Sequence, residues 1–217
     1  GVGLANIEKR VLLIDADPQG SLTVSLGIKK PDDLSVSLAT VMQDVIEDRD
    51  TLDGSGIIHH EEGVDLLPSN IELSGLEVSL FNTMSRESIL KGYLDTVKSK
   101  YDYALIDCMP SLGMMTINAL VAADSVLIPT QPNFLATKGL NLLMRSVARV
   151  KKQINPKLRI DGILLTIVDG RTNNAKSIIA SLRSSIGESI RVFDTEIPHS
   201  VRAAESRLAG KSIFDHD

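Results

Sequence analysis

Residues Val11 to Gly20 read VLLIDADPQG, and this stretch decides the fold. An apolar run that continues unbroken from Val11 to Ile14 is the pattern of a strand buried on both faces, as in a parallel sheet covered by helices. Strand side chains alternate between faces, so Asp15 and Asp17 share one side of the extended backbone. Pro18 disfavours the helical region for Asp17 and keeps the chain extended until it turns at Gly20. Carboxylates gathered at the C-terminal edge of a parallel sheet are costly unless a cation or polar ligand sits among them. The pattern therefore asks for magnesium, a phosphate, or both.

Outward from this strand, short apolar runs alternate with helical patterns, which is how an α/β chain with a mostly parallel sheet reads. The predicted strands are 11–15, 64–68, 103–107, 125–129, 160–168 and 192–197. Ile89, Leu90, Tyr93, Leu94 and Val97 fall on one helical face, as do Leu140, Leu143, Met144, Val147 and Val150. Ile178, Ile179, Leu182 and Ile186 form a third stripe, and all three stripes read as core. Residues 1–10, GVGLANIEKR, read as the last turns of a helix leading into the first strand.

The chain has 217 residues, 43% of them hydrophobic, enough for a substantial core. There is no Pro/Gly/Ser-rich linker and no repeat at solenoid period, so residues 1–217 are expected to form a single domain, truncated at both ends. One cysteine, Cys108, excludes a disulfide framework and suits a reducing cytoplasm. No apolar run approaches a membrane span. Lys and Arg total 23 against 28 for Asp and Glu, a net charge of −5 that is not the footprint of a constitutive, tight DNA binder. With aromatics at 3%, base stacking is not a main mode of nucleic-acid recognition.

A second acidic strand end lies at 103–113, YALIDCMPSLG, where the apolar run delivers Asp107 to the sheet edge and Ser111 to Gly113 open a helix. A strand ending in Asp in this context has the shape of a Walker B element, whose carboxylate holds magnesium directly or through water. Asp is also a common helix cap. Two such strand ends in one sheet, one with paired acids, favour the functional reading. His59, His60, Glu61 and Glu62 sit on a loop before Gly63 and read as a surface connection rather than a metal cluster. Cys108 reads as a small core residue, because no histidine is paired with it.

Taken in order, VLLIDADPQG with SLTVSLG, YDYALIDCMPSLGMMTINAL, DSVLIPTQPNFLATKGLNLL, IDGILLTIVDGRTN and TEIPHSVRAAE resemble the successive motifs of the ParA/Soj family of partition ATPases. That family belongs to the deviant Walker A class that also contains MinD. The resemblance implies a P-loop NTPase-like, AAA-type α/β fold, its sheet flanked by helices on both faces. It also implies ATP and Mg2+ as cofactors and an ATP-dependent homodimer. The dimer would bind DNA non-specifically, respond to a ParB-type partner and work in the cytoplasm on the nucleoid.

Residue by residue, the resemblance gives Asp17 the role of positioning or activating the attacking water. Asp15 would reach magnesium through its water shell, and Asp107 would be the Walker B acid. The loops at Pro129 and Gln131, at Asp169 and at Pro198 resemble the family's adenine-side walls. Arg171 in DGRTN and Arg202 in HSVRAAE match positions linked to DNA binding, where a guanidinium pairs with phosphate without reading sequence. The chain departs from the family at His199 and Ser200, where Arg and Asn are frequent, and at Met109, where proline is usual.

A phosphate-cradling loop of the form GxxxxGK[ST] is expected before residue 1, together with the first strand and the start of the following helix. Gly1-Val2-Gly3 resembles the loop's GVGKT only until Leu4 and Ala5 take the place of Lys and Thr. As written, the chain is expected not to hydrolyse ATP efficiently. Two other readings stand beside this one. A MinD-like membrane-associated ATPase needs an amphipathic C-terminal helix, and a non-catalytic interaction fragment would bind a partner without nucleotide. Iron–sulfur relatives need more than one cysteine.

Overall fold

The computed structural model describes residues 1–49, 54–109, 111, 113–187 and 189–216. The chain divides into two compact units, Gly1–Ala122 with Arg202–Asp217, and Ala123–Val201.

In the first unit, α1 (Val2–Ala5) leads into β1 (Val11–Ala16). After α2 (Ser21–Ser25) and α3 (Leu38–Ile46) come β2 (Ile58–His59), β3 (Asp65–Leu67), α4 (Glu72–Leu80), α5 (Ile89–Val97), β4 (Tyr103–Cys108) and α6 (Met114–Ala122). The strand order is β2-β3-β1-β4. β1 pairs in parallel with β3, placing Leu12 opposite Asp65 and Ile14 opposite Leu67, and with β4, from Val11 opposite Tyr103 to Ala16 opposite Cys108. β2 runs antiparallel to β3.

β1 is buried along its whole length, as its unbroken apolar run requires. Leu12, Ile14 and Ala16 pack with Leu38 and Met42 of α3, Leu73 and Leu80 of α4, Leu90 and Tyr93 of α5 and Met115 of α6. Val11 and Leu13 face the other way, against Val2, Leu26, Val64 and Leu66. The period of two thus feeds two separate cores, with helical segments on both faces of the sheet. Ser37 opens α3 with a capping box, its N–H donating to Thr40 Oγ1 at 3.1 Å. All five residues of the predicted stripe on α5 are buried.

The second unit comprises β5 (Ser125–Thr130), α7 (Phe134–Gln153), β6 (Arg159–Val168), α8 (Asn173–Ile186) and β7 (Val192–Pro198). Its strands are parallel, in the order β5-β6-β7. Ile128, Ile163, Leu165 and Val168 meet Leu140 of α7 and Leu182 of α8, with Ile178, Ile179 and Ile186 packed around them. Thr172 caps α8 by accepting the Ala175 N–H at 3.3 Å.

The strands lie where the sequence puts them, with β1, β4, β5 and β7 each running one residue further than predicted. Helices α2, α3 and α4 were not predicted, nor were β2 and α9. β2 has 2 residues, too few to show a period. α9 (Val201–Ala209) leaves Val201 and Leu208 exposed, at 64% and 81%, so it carries no apolar stripe to read.

Candidate functional site

β1 delivers Asp15 to the carboxyl edge of its sheet, directly opposite Asp107 on β4. The Asp15 side chain is fully buried. Its Oδ2 accepts the backbone N–H and the hydroxyl of Thr23, each at 2.8 Å, and its Oδ1 accepts the Asp17 N–H at 3.3 Å. Thr23 is itself buried, and its Oγ1 accepts the Ser69 N–H at 3.0 Å. Asp17 is half-buried and holds the turn beneath it, its Oδ1 accepting the Gln19 N–H at 2.9 Å and its carbonyl the Gly20 N–H at 2.9 Å. Gly20 adopts φ 61° and ψ 31°, a left-handed conformation that glycine adopts without steric cost.

The electrostatics are those of acids crowded together. Burial raises the Asp15 carboxyl above the ordinary aspartate range, against the opposing pull of the Thr23 and Asp17 hydrogen bonds. Asp107 is raised as well, first by desolvation from the protein around it and then by the charges of Asp15 and Asp17, although solvent reaches part of its side chain. Among the described residues no cationic side chain is a named cause of either shift. A divalent cation is the species that relieves such a cluster. Among the described residues no three His, Cys, Asp or Glu side chains stand close enough to hold a metal by themselves. Magnesium, which keeps waters and takes phosphate oxygens as ligands, is a cation that needs only one or two protein carboxylates.

The second unit gathers its own predicted residues at one edge. Pro129 lies on β5 opposite Leu164, and Gln131 follows the strand, exposed. Asp169 follows β6, whose last residue, Val168, pairs with Pro198 of β7. The His199 N–H donates to the Val168 carbonyl at 3.1 Å. Because these strands are parallel, Pro129, Gln131, Asp169 and Pro198 all stand toward the carboxyl side of the sheet.

Arg171 and Asp169, assigned separate roles in the sequence, are partners. Arg171 Nε donates to Asp169 Oδ1 at 3.0 Å, a second guanidinium nitrogen donates to Oδ2 at 3.4 Å, and the Arg171 N–H donates to Oδ1 at 3.2 Å. The pairing lowers the Asp169 carboxyl and raises the Arg171 guanidinium. Arg202 lies exposed on α9.

His59, the last residue of β2, and the loop that follows to Glu62 make their bonds elsewhere. His59 Nδ1 lies 2.8 Å from Asp65, which also accepts the Tyr101 hydroxyl at 2.7 Å. Glu62 accepts the Ser212 N–H at 2.8 Å. Burial, and then the Asp107 charge, push the Cys108 thiol up to about 12, which leaves it protonated and unreactive at neutral pH. Sequence reasoning missed Thr23 and Ser69, and also Glu77 of α4, whose Oε1 accepts the Met115 N–H at 3.3 Å at the start of α6. Their polar side chains sit in otherwise ordinary helical and turn contexts, so no pattern marked them.

A mostly parallel α/β sheet with acids at adjacent strand ends is the frame of P-loop proteins, and the AAA domain family matches residues 1–160. The sporulation initiation inhibitor protein Soj of Bacillus subtilis is 43% identical over 220 residues, spanning 100% of this chain and 83% of Soj. The chromosome partitioning protein ParA of Caulobacter vibrioides is 36% identical, over 100% of this chain and 79% of its own length. Among solved structures, a cobyrinic acid a,c-diamide synthase from Mycobacterium smegmatis with bound ATP analogue and magnesium superposes with a TM-score of 0.84. It is 35% identical, and the match covers 96% of this chain and 81% of that one. The chain belongs to the ParA/Soj family of partition ATPases.

Proposed function

We propose that residues 1–217 carry the acid and magnesium half of a DNA-partition switch. In this reading ATP closes a homodimer, the dimer binds DNA non-specifically on the nucleoid in the cytoplasm, and a ParB-type partner stimulates the hydrolysis that releases it. The observation that supports it best is the Asp15–Asp107 register pair, with Asp17 two residues further along the same strand end. Magnesium supplies charge neutralisation at the phosphates when it is bound with ATP. Asp107, partly open to solvent, would be the Walker B acid, and Asp15 would reach the ion through its water shell. Asp17 would orient the attacking water, since phosphoryl transfer needs mostly positioning and charge stabilisation. Pro129, Gln131, Asp169 and Pro198 would line the base, and Arg171 and Arg202 would pair with DNA phosphates.

Among the described residues no helix is long and apolar enough to cross a membrane. The arginine-bearing DGRTN and SVRAAE segments favour DNA over a membrane surface as the second ligand. No GxxxxGK[ST] loop occurs in the sequence, so the reading expects no efficient turnover from these residues alone. The test compares residues 1–217 with the same residues preceded by a strand and a KGGVGKT loop. Magnesium-dependent ATP hydrolysis is expected only in the second preparation, and Asp17→Ala should abolish it. An inert second preparation, or rapid turnover by the first, would overturn the reading.

A further inference from the structure

Asp15 offers its carboxylate to protein donors on both oxygens, and this gives an unassigned residue a role. We propose that Thr23 is a positioning residue for the ATPase chemistry proposed above, on which this inference rests. Its amide and hydroxyl fix Asp15, and through Asp15 the backbone that presents Asp17.

The hydrogen-bond directions follow from the inventory of donors. The Thr23 hydroxyl has a single proton. Its oxygen already accepts from the Ser69 N–H at 3.0 Å, and Asp15 Oδ2, at 2.8 Å, can only accept from it while ionised. The proton therefore points to Asp15, and the chain runs one way: Ser69 N–H to Thr23 Oγ1, Thr23 O–H to Asp15 Oδ2. The other carboxylate oxygen, Oδ1, accepts the Asp17 N–H. Asp15, Thr23 and Ser69 are each 0% exposed, so water does not substitute for a lost partner.

A second contact closes the loop against the same residue. A Cβ added at Gly20 would lie 3.0 Å from the Ser69 carbonyl oxygen. Ser69, two residues past β3, thus meets the acid-bearing segment at two points, Gly20 and Thr23, and Thr23 passes the constraint to Asp15. Valine at position 23 keeps the shape and the amide but removes the hydroxyl, leaving the Ser69 N–H and one Asp15 lone pair without their partner. Serine keeps the hydroxyl.

The experiment measures amide hydrogen exchange in residues 1–217 for the parent, Thr23→Val and Thr23→Ser. It then measures kcat and KM in the polypeptide that carries the phosphate loop. Thr23→Val is expected to speed exchange at Asp17 and Ser69 by roughly tenfold or more while Leu90 in the core of α5 keeps its protection. In the hydrolysing polypeptide, kcat should fall by about tenfold to a hundredfold with the KM for Mg·ATP little changed, the signature of a mis-set reacting geometry. Thr23→Ser should restore both. Unchanged exchange at Asp17, or unchanged kcat in a polypeptide that turns over, would overturn the role of Thr23 and leave the ATPase reading standing. A parent polypeptide that does not turn over would overturn both.

Discussion

Asp15 and Asp107 are register partners on neighbouring parallel strands, so their backbones stand roughly one strand spacing apart, about 4.8 Å, at the carboxyl edge of the sheet. One carboxyl is buried and fully hydrogen-bonded, and the other meets solvent. Burial raises both carboxyls above the ordinary aspartate range, and the charges of Asp15 and Asp17 raise Asp107 further, so the predictions for the site begin there.

An acid whose folded pKa is raised favours folding at low pH, and that contribution is lost as pH rises through the folded value. Asp15 and Asp107 both belong to this class. Removing one charge should therefore help the apo protein at neutral pH. Asp107→Asn is expected to raise the thermal midpoint at pH 7, to leave it little changed near pH 3, and to weaken any stabilisation by added magnesium. Thermal melts across pH, with and without Mg2+, check this, and a lower midpoint at pH 7 would count against the crowding of acids.

Asp102 behaves in the opposite sense. Arg10 holds it with Nε at 3.3 Å, a terminal guanidinium nitrogen at 2.9 Å and its backbone N–H at 2.9 Å, which lowers the carboxyl to about 2. A depressed acid stabilises the fold above its unfolded pKa and loses that contribution as pH falls through the folded value. Carboxyl NMR should show Asp102 titrating near pH 2, and Arg10→Ala, which removes the guanidinium but keeps the backbone N–H, should raise the midpoint only part of the way toward the ordinary aspartate range.

Gly20→Ala places a Cβ on a left-handed backbone and against the Ser69 carbonyl. The conformational cost alone is about 1–2 kcal/mol, and the close approach adds to it. Denaturant unfolding should show a loss of at least that size, with an unchanged m-value.

The Ser69 hydroxyl is buried and has no hydrogen-bond partner among the described residues. Ser69→Ala keeps the backbone N–H that reaches Thr23 and removes the orphaned group. It should stabilise the chain by about 1 kcal/mol, and a destabilised variant would show that the hydroxyl has a partner after all.

Arg171→Ala tests the proposed DNA surface. Each lost phosphate contact lowers the slope of log affinity against log salt by about 0.9. The same change releases Asp169 from its ion pair, so the Asp169 carboxyl should rise toward its ordinary value. A titration of duplex DNA at several salt concentrations separates the two effects.

Much of this was legible in the sequence, for identifiable reasons. β1 could be read because a strand buried on both faces has no polar interruption, and Asp15 and Asp107 because the apolar run stops at each. The stripe on α5 could be read because its period matches the helix. β2 was hidden by its brevity, and α9 by the exposure of its own apolar residues. The Thr23–Ser69 bond joins residues 46 positions apart, a separation that only the pairing of β1 with β3 closes. The Asp169–Arg171 pair was within reach of local reasoning. The family resemblance instead points each of the two residues to a ligand of its own.

Asp15 takes donors from Asp17 and from Thr23, so the segment between them is a small ring closed on one carboxylate. Ring closure removes conformational freedom once, when the chain folds. Little reorganisation is then left for the moment of reaction. If Asp17 orients the attacking water as proposed, its backbone is already set before any ligand arrives, and a timing signal would act on what approaches it.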